Sequence, residues 1–401
     1  MDHRRFDVLF SRLCAIGAKV EPLTLENATF KGMWFGPQGF FLLPPAATAE
    51  YQQLITDILR ESDWEQKFSR QYLSNRLRPV LENYHLAGEA AARDAMTTLT
   101  ADLAAFDEAH TVYLPLLGVT LDDAPRREIA GIILHRATDE FLKSITTPET
   151  TDYIKRQTET FAWTEITVIA EPHRAASRAE EACQPLIDVM RFWMACMAPP
   201  CTPCAIGLQG DIITGERPRV ITNNQANHCY DPNRSRVIPG FPVTDHTMSL
   251  LQSAHIDDLA VVISTPRPQQ SKFTKLLLHA LHLFGNATTA ALPTDRFMHL
   301  IMTLEAFLTV GDAPISQSVA EGVVIFLAVP VAERVRLKKE LQRFYKLRSK
   351  LAHGEQTSVP PTDLYVLEDL TRTFLLAMIQ HRNAYASKEA FLAALEARRL
   401  S

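Results

Sequence analysis

The sequence has few cysteines and no long apolar run. Six cysteines among 401 residues, at irregular spacing, do not form the framework of a disulfide-rich secreted protein and are typical of reduced thiols. The longest apolar stretch, residues 323–332, is too short to cross a bilayer and contains a proline. The amino terminus lacks the apolar segment of a signal peptide. We therefore expect a cytoplasmic protein without a membrane-spanning helix.

The sequence also lacks an excess of positive charge and the motifs of several enzyme classes. Its 41 Lys and Arg are outnumbered by 46 Asp and Glu, and the net charge of −5 argues against a protein that coats nucleic acid through its overall field. It has no Walker loop, no dinucleotide fingerprint and no nucleophile elbow. Any contact with nucleic acid must come from a local patch, and no cofactor is expected.

The apolar patterns predict an α+β fold in three segments, with mixed α/β amino-terminal regions followed by an all-α helical bundle. Residues 1–160 predict an α+β domain, and residues 161–265 predict a smaller α/β region. A proline-rich stretch at 264–271 is typical of a linker. The segment 271–401 predicts a bundle, with helices at 272–284, 295–309, 316–327, 332–352, 362–380 and 388–398.

One predicted helix concentrates the positive charge. Residues 334–350 hold eight basic residues and one acidic residue, a net charge of +7 that leaves −12 for the rest of the chain. Apolar residues recur in this stretch at helical spacing, so one face is expected to pack while the opposite face is cationic. A solvated helix face is the ordinary origin of such a run.

Arg348 and His353 lie at the end of this helix, five residues apart. An imidazole can transfer a proton near neutral pH, and a guanidinium can hold a phosphate oxygen. The two groups suffice to cleave RNA without a metal, because the ribose 2′-hydroxyl is the nucleophile. A five-residue step separates side chains by about 140° on an ideal helix. Both therefore reach one phosphate only if the last turn unwinds at Gly354, if the arginine wraps round the helix, or if a second subunit completes the cleft.

A second pair of residues fits the motif, and Arg348 and His353 also fit a structural role. Arg78 and His85 match a looser spacing, but Arg78 is followed by a proline inside a predicted helix, and we discount the pair. Arg348 and His353 could form a basic helix end, where cations suit the helix dipole and the histidine caps carbonyls. Glu305, on an upstream helix, is expected to neutralise a buried arginine, and Arg348 is a candidate partner.

Three stretches of the carboxy-terminal third, residues 297–308, 315–327 and 344–355, resemble the Apea-like group of HEPN domains. The resemblance implies a helical bundle that forms a homodimer and brings two Arg-x4–6-His motifs into one cleft. Such a cleft would act as a metal-independent endoribonuclease, often in toxin–antitoxin or anti-phage systems. The expected partners are therefore RNA, a second copy of the chain and an antitoxin or defence partner of unknown identity.

The resemblance assigns the catalytic roles to Arg348 and His353. Ser349 occupies the position after the motif arginine, which is commonly polar in the family, and we expect it to contact RNA together with the flanking Lys346 and Lys350. Relatives that are silenced by nucleotide transfer carry a tyrosine two residues after the histidine, where this sequence has Glu355. That form of control is not expected here.

Two further alternatives concern the function class. The domain could be a non-catalytic dimerisation or RNA-binding module in which Arg348 and His353 are structural. Zinc binding is a minor alternative, because only one C-x2-C pair is present and no metal is expected. The cysteines and the histidine that would build such a site are Cys196, Cys201, Cys204, His228 and Cys229.

Overall fold

The computed structural model describes most of the chain. The described residues are 3–22, 33–36, 39–61, 64–121, 124–147, 150–152, 154–155, 161–202, 204–208, 217–222, 228–233, 241–309, 314–327, 330–355 and 358–400. The chain forms two compact units, one of residues 1–112 with 166–179 and the other of residues 113–165 with 180–401. This division differs from the three segments expected from the sequence. Each unit is assembled from two separate stretches of chain, which local patterns do not reveal.

The first unit is mainly helical. Its helices are α1 (His3–Gly17), α2 (Pro45–Glu61), α3 (Arg70–Ala87) and α4 (Glu89–Ala104). Strands β1 (Glu21–Pro22), β2 (Met33–Gly36) and β3 (Gly39–Leu42) form an antiparallel sheet in the order β1-β3-β2. The core lies between the helices, where Phe10, Leu54 and Leu73 have no exposed surface. Helix α3 continues through Pro79.

The second unit contains a five-stranded sheet, whose order is β6-β7-β8-β4-β9. Its strands are β4 (Ala109–Leu117), β6 (Arg126–Ile129), β7 (Ile132–Arg136), β8 (Ala162–Ile169) and β9 (Gly207–Leu208). Strand β5 (Val119–Leu121) pairs in parallel with β12 (Phe241–Val243), and β10 (Arg217–Thr222) forms a hairpin with β11 (His228–Asn233). Short helix α5 (Asp139–Ile145) follows β7. Strand β4 begins in the first unit, and strand β8 ends in it.

Helices form the rest of the second unit. They are α6 (Pro172–Met197), α7 (Asp245–Ser253), α8 (Leu259–Ser264), α9 (Lys272–Thr289), α10 (Pro293–Leu308), α11 (Ile315–Phe326), α12 (Val331–Ala352), α13 (Pro361–Gln380) and α14 (Lys388–Leu400). Helix α6 begins in the first unit and belongs to the second unit from Glu180 onwards. The last six confirm the helical bundle expected beyond residue 271. The fold class is therefore α+β with a helical carboxy-terminal region.

Aromatic side chains build the core of this bundle. Phe297 of α10 contacts Phe344 of α12 at a ring-centroid distance of 6.0 Å, and Phe307 of α10 lies 5.7 Å from Phe374 of α13. All four rings are fully buried. Helix α10 is thus held from both sides, which fixes the side chains that it presents to α12.

The bundle extends beyond the segment expected from the sequence, because α6 packs against it. Phe192 of α6 lies 5.6 Å from Phe284 of α9, and the Trp193 indole donates a hydrogen bond of 3.0 Å to the Ile256 carbonyl. The stretch expected as a linker connects α8 to α9 inside this one unit. Among the described residues, no helix combines the length and apolarity needed to span a bilayer.

Candidate functional site at the end of helix α12

Helix α12 ends in a tight turn that fixes the position of His353. The Glu355 amide donates to the Lys350 carbonyl at 2.9 Å, and the Gly354 amide donates to the Leu351 carbonyl at 3.2 Å. Gly354 has a φ of +71°, the left-handed conformation that this Schellman closure requires and that glycine adopts without strain. His353 is the last residue before the glycine, and its side chain is exposed. The sequence His-Gly thus sets an accessible imidazole at the helix end.

Arg348 points in another direction, toward helix α10. Its Nε atom lies 3.6 Å from Oε1 of Glu305, and the two side chains are 35% and 15% exposed. The pairing that the sequence left open for Glu305 is therefore made with Arg348. At 3.6 Å this is an ion pair without a hydrogen bond.

Tyr345 completes a small polar cluster with Glu305 and Arg348. The residue is 8% exposed, so it belongs to the core. Burial, followed by the nearby Glu305 carboxylate, raises the pKa of Tyr345 far above its usual value. The hydroxyl is therefore protonated at any physiological pH. Arg348 Nε, Glu305 Oε1 and the Tyr345 hydroxyl are all buried, and none has a hydrogen-bond partner among the described residues.

Within one chain, helical spacing separates Arg348 from His353. Helix α12 remains regular to Ala352, and the turn at Gly354 closes without unwinding the helix. The two side chains therefore keep the separation of about 140° that five helical residues impose. The arginine extends toward Glu305. The regular helix end argues against the first of the three arrangements considered from the sequence, in which the last turn unwinds at Gly354.

The expected RNA contacts share a face with His353. Lys346, Ser349 and Lys350 are all exposed, and steps of three, four and seven residues bring side chains to one side of a helix. Within the part of the chain that the structure describes, neither lysine forms an ion pair or a side-chain hydrogen bond. The last two turns of α12 therefore present two uncompensated ammonium groups beside an accessible imidazole.

Earlier in α12, most cations are neutralised. Lys338 lies 2.8 Å from Glu321 of α11, and Arg343 forms two hydrogen bonds, of 2.6 and 2.9 Å, with Asp363 of α13. Arg336 pairs with Glu333 on its own helix. The fold thus confines the available positive charge largely to the end of the helix.

A second polar cluster, between α6 and α9, was not predicted from the sequence. The buried Asp188 carboxylate lies 3.0 Å from Nδ1 of His282, accepts a hydrogen bond of 2.8 Å from Gln184, and is 3.5 Å from Arg191. The hydrogen bond to Asp188 raises the pKa of His282. Asp188 and His282 are 94 positions apart, so no local pattern could have joined them. The cluster ties α6 to the bundle.

Burial keeps two of the cysteines considered for zinc in the protonated thiol form. Burial raises the pKa of Cys196 to about 12, and burial with the nearby Glu368 raises that of Cys201 to about 11. A thiol must lose its proton to bind a metal. Among the described residues, no group of three or more His, Cys, Asp or Glu could hold a metal ion. The side chains of His228 and Cys229 lie outside the described residues.

Comparison with known proteins finds no matching family model, no matching curated protein and no matching solved structure. The resemblance of residues 297–355 to an Apea-like HEPN domain therefore stays a prediction, which rests on the residues given above.

Proposed function

We propose that this chain is a metal-independent endoribonuclease that acts at a cleft shared by two copies of α12. The proposal is supported by the end of this helix, where the exposed His353 lies on the same face as Lys346 and Lys350, neither of which has a carboxylate partner among the described residues. Arg348 is the cation next to this face. The resemblance extends the proposal to a toxin or anti-phage system in the cytoplasm.

The chemistry needs two proton transfers and one charge stabilisation. The 2′-oxygen attacks the adjacent phosphorus while a base takes the proton of the 2′-hydroxyl, and the phosphorus–O5′ bond breaks as an acid protonates the leaving O5′. His353 is the group that transfers protons, and Arg348 stabilises the charge on the phosphorane. The expected products carry a 2′,3′-cyclic phosphate and a 5′-hydroxyl.

The deciding experiment is incubation of the purified protein with total cellular RNA in excess chelator. We expect cleavage by the wild-type protein and a loss of at least about 100-fold in His353→Ala, as for removal of a general acid–base group. The matched control is His381→Ala, because His381 is also an exposed histidine at the C-cap of a helix in the same unit. Chelator-sensitive cleavage, or full activity of His353→Ala, would contradict the mechanism.

A mixing experiment tests the shared cleft. Arg348→Ala and His353→Ala should each be inactive alone. If each site takes the arginine from one copy and the histidine from the other, mixing equal amounts restores about a quarter of the wild-type activity, because about half of the dimers then hold one intact site of two. No recovery after subunit exchange, verified with two differently tagged proteins, would refute a cleft of this kind.

A second candidate function is a non-catalytic dimerisation or RNA-binding module. It is favoured by the ion pair between Arg348 and Glu305, which gives the arginine a structural partner. This alternative predicts that Arg348→Ala and His353→Ala lower the melting temperature while the wild-type protein cleaves no RNA. Measurement of both properties on the same preparations separates the two functions.

A further inference from the structure

The contact between Arg348 and Glu305 is longer than the ion pairs by which Lys338 and Arg343 join α12 to other helices. Lys338 and Arg343 meet their carboxylates at hydrogen-bond distance. Arg348 approaches Glu305 only to 3.6 Å. Lys338 and Arg343 thus donate hydrogen bonds to protein carboxylates, whereas the N–H groups of Arg348 remain able to donate to a ligand.

The orientation of Arg348 leaves one edge of its guanidinium available. The Nε atom is the buried atom nearest to Glu305, although the side chain as a whole is 35% exposed. A guanidinium carries five N–H donors in a planar fork, so a contact at Nε leaves the end-on pair of N–H groups, one on each terminal nitrogen, for another acceptor. No hydrogen bond joins these terminal nitrogens to another part of the described chain. This free edge has the geometry that binds two phosphate oxygens.

Tyr345 provides an independent observation at the same place. Its side chain is more than nine-tenths buried, and its hydroxyl has no hydrogen-bond partner among the described residues. The hydroxyl is nevertheless close enough to Glu305 for the carboxylate to contribute to the raised pKa of Tyr345. Tyr345, Glu305 and Arg348 therefore form one buried polar cluster at the contact between α10 and α12.

We propose that Glu305 and Tyr345 are positioning residues that hold Arg348 at Nε, so that its two terminal nitrogens bind the non-bridging oxygens of an RNA phosphodiester. This inference rests on the proposed function, for which it names a phosphate subsite and the residues that orient it. Glu305 acts through Arg348 and does not touch the RNA. The arrangement explains why a carboxylate lies beside a residue that must bind an anion.

The cleavage test compares Glu305→Gln with Glu321→Gln. Glu321 is a matched control, because it also contacts a cation of α12 from a neighbouring helix and its side chain is 18% exposed against 15% for Glu305. Both variants remove one negative charge, so the general electrostatic effect on RNA cancels. We expect kcat to fall at least about tenfold more in Glu305→Gln, and KM to rise only about threefold, because the phosphorane carries more charge than the bound substrate.

A combination of variants identifies the route of the effect. If Glu305 acts through Arg348, Glu305→Gln does not further weaken the binding of an uncleavable 2′-O-methyl RNA in the Arg348→Ala background, whereas independent structural roles would add. Glu305→Asp should restore part of the activity, and Tyr345→Phe should lower kcat less than Glu305→Gln. Melting temperatures verify that each variant is folded. Additive losses, or faster cleavage by Glu305→Gln than by Glu321→Gln, would overturn the proposal.

Binding of an uncleavable probe separates this inference from the proposed function. A 2′-O-methyl RNA oligonucleotide lacks the nucleophile, so its affinity reports the phosphate subsite alone. If the wild-type protein cleaves no RNA, the proposed function fails. The subsite still stands if Arg348→Ala and Glu305→Gln both bind the probe at least about threefold more weakly than Glu321→Gln at low salt. It falls if Glu305→Gln binds as well as Glu321→Gln or better.

Discussion

Loss of one partner of the buried pair Arg296 and Glu368 should strongly destabilise the bundle. Arg296 Nε and Nη2 lie 2.8 and 2.7 Å from Oε2 of Glu368, and the two side chains are 8% and 4% exposed. The other carboxylate oxygen of Glu368 accepts a hydrogen bond of 2.9 Å from the Cys201 amide. Three parts of the second unit therefore meet at one carboxylate: α10, α13 and the segment after α6.

Glu368→Gln leaves the Arg296 guanidinium buried without a counter-charge. Loss of one partner of a buried pair costs about 3–5 kcal/mol, a large fraction of the stability of about 5–15 kcal/mol that is typical of a domain. Replacement of both residues by methionine removes the uncompensated charge and leaves the Cys201 amide without its acceptor, which costs about 1–3 kcal/mol. The double variant should thus be more stable than Glu368→Gln.

Hydrogen–deuterium exchange of peptides from α10 and α13 measures this difference locally. A loss of about 3 kcal/mol accelerates exchange through the open state by about 100-fold, since each 1.4 kcal/mol is a factor of ten. Peptides from α1–α4, in the other unit, are the internal control and should be unaffected. The reasoning is refuted if Glu368→Gln exchanges like the wild type, or if the double variant is less stable than Glu368→Gln.

Three other predictions concern pH, the helix end and salt. The hydrogen bond to Asp188 raises the pKa of His282 above its ordinary value of 6.5. The stabilisation by this pair is therefore fully present below pH 6.5 and is lost as the pH rises through the folded-state pKa. The free energy of unfolding should fall over that range, and it should fall less in His282→Gln. Gly354→Ala should destabilise the protein by about 1–2 kcal/mol in urea unfolding, because it forces a side chain into a left-handed conformation. Lys346→Ala and Lys350→Ala should each reduce the slope of log affinity against log salt for single-stranded RNA by about 0.7; an unchanged slope would mean that the lysines do not contact phosphates.

The helices of the bundle were predictable because their signals are local. Pro360 precedes α13 and Pro361 is its first residue, Gly354 follows α12, and apolar residues recur at helical spacing between such points. Helix α9 continues five residues beyond its expected end at Phe284. The reason is tertiary: Gly285 lies against Asp188 and Arg191, where a side chain would crowd them. No local pattern contains that contact.

The candidate site was predictable in its chemistry but only partly in its geometry. The separation of Arg348 and His353 follows from helical spacing alone, and Glu305 could be named as a partner because it lies on an apolar helix of the same segment. Which face of α10 meets which face of α12 depends on the packing of Phe297 against Phe344. Sequence periodicity therefore could not choose Arg348 among the arginines of α12. It also could not show that Arg343 is held by Asp363.

The fold neutralises part of the positive charge that the sequence concentrates in residues 334–350. The sequence assigns a net charge of +7 to residues 334–350, but carboxylates from two neighbouring helices and from α12 itself neutralise much of its first part. Lys346 and Lys350 lack such partners among the described residues, and Arg348 is paired only at long range. If the proposed function holds, we expect an RNA phosphate to bind at the last two turns, next to His353. Because the rest of the chain carries a net charge of −12, the binding of RNA should then depend on this local patch.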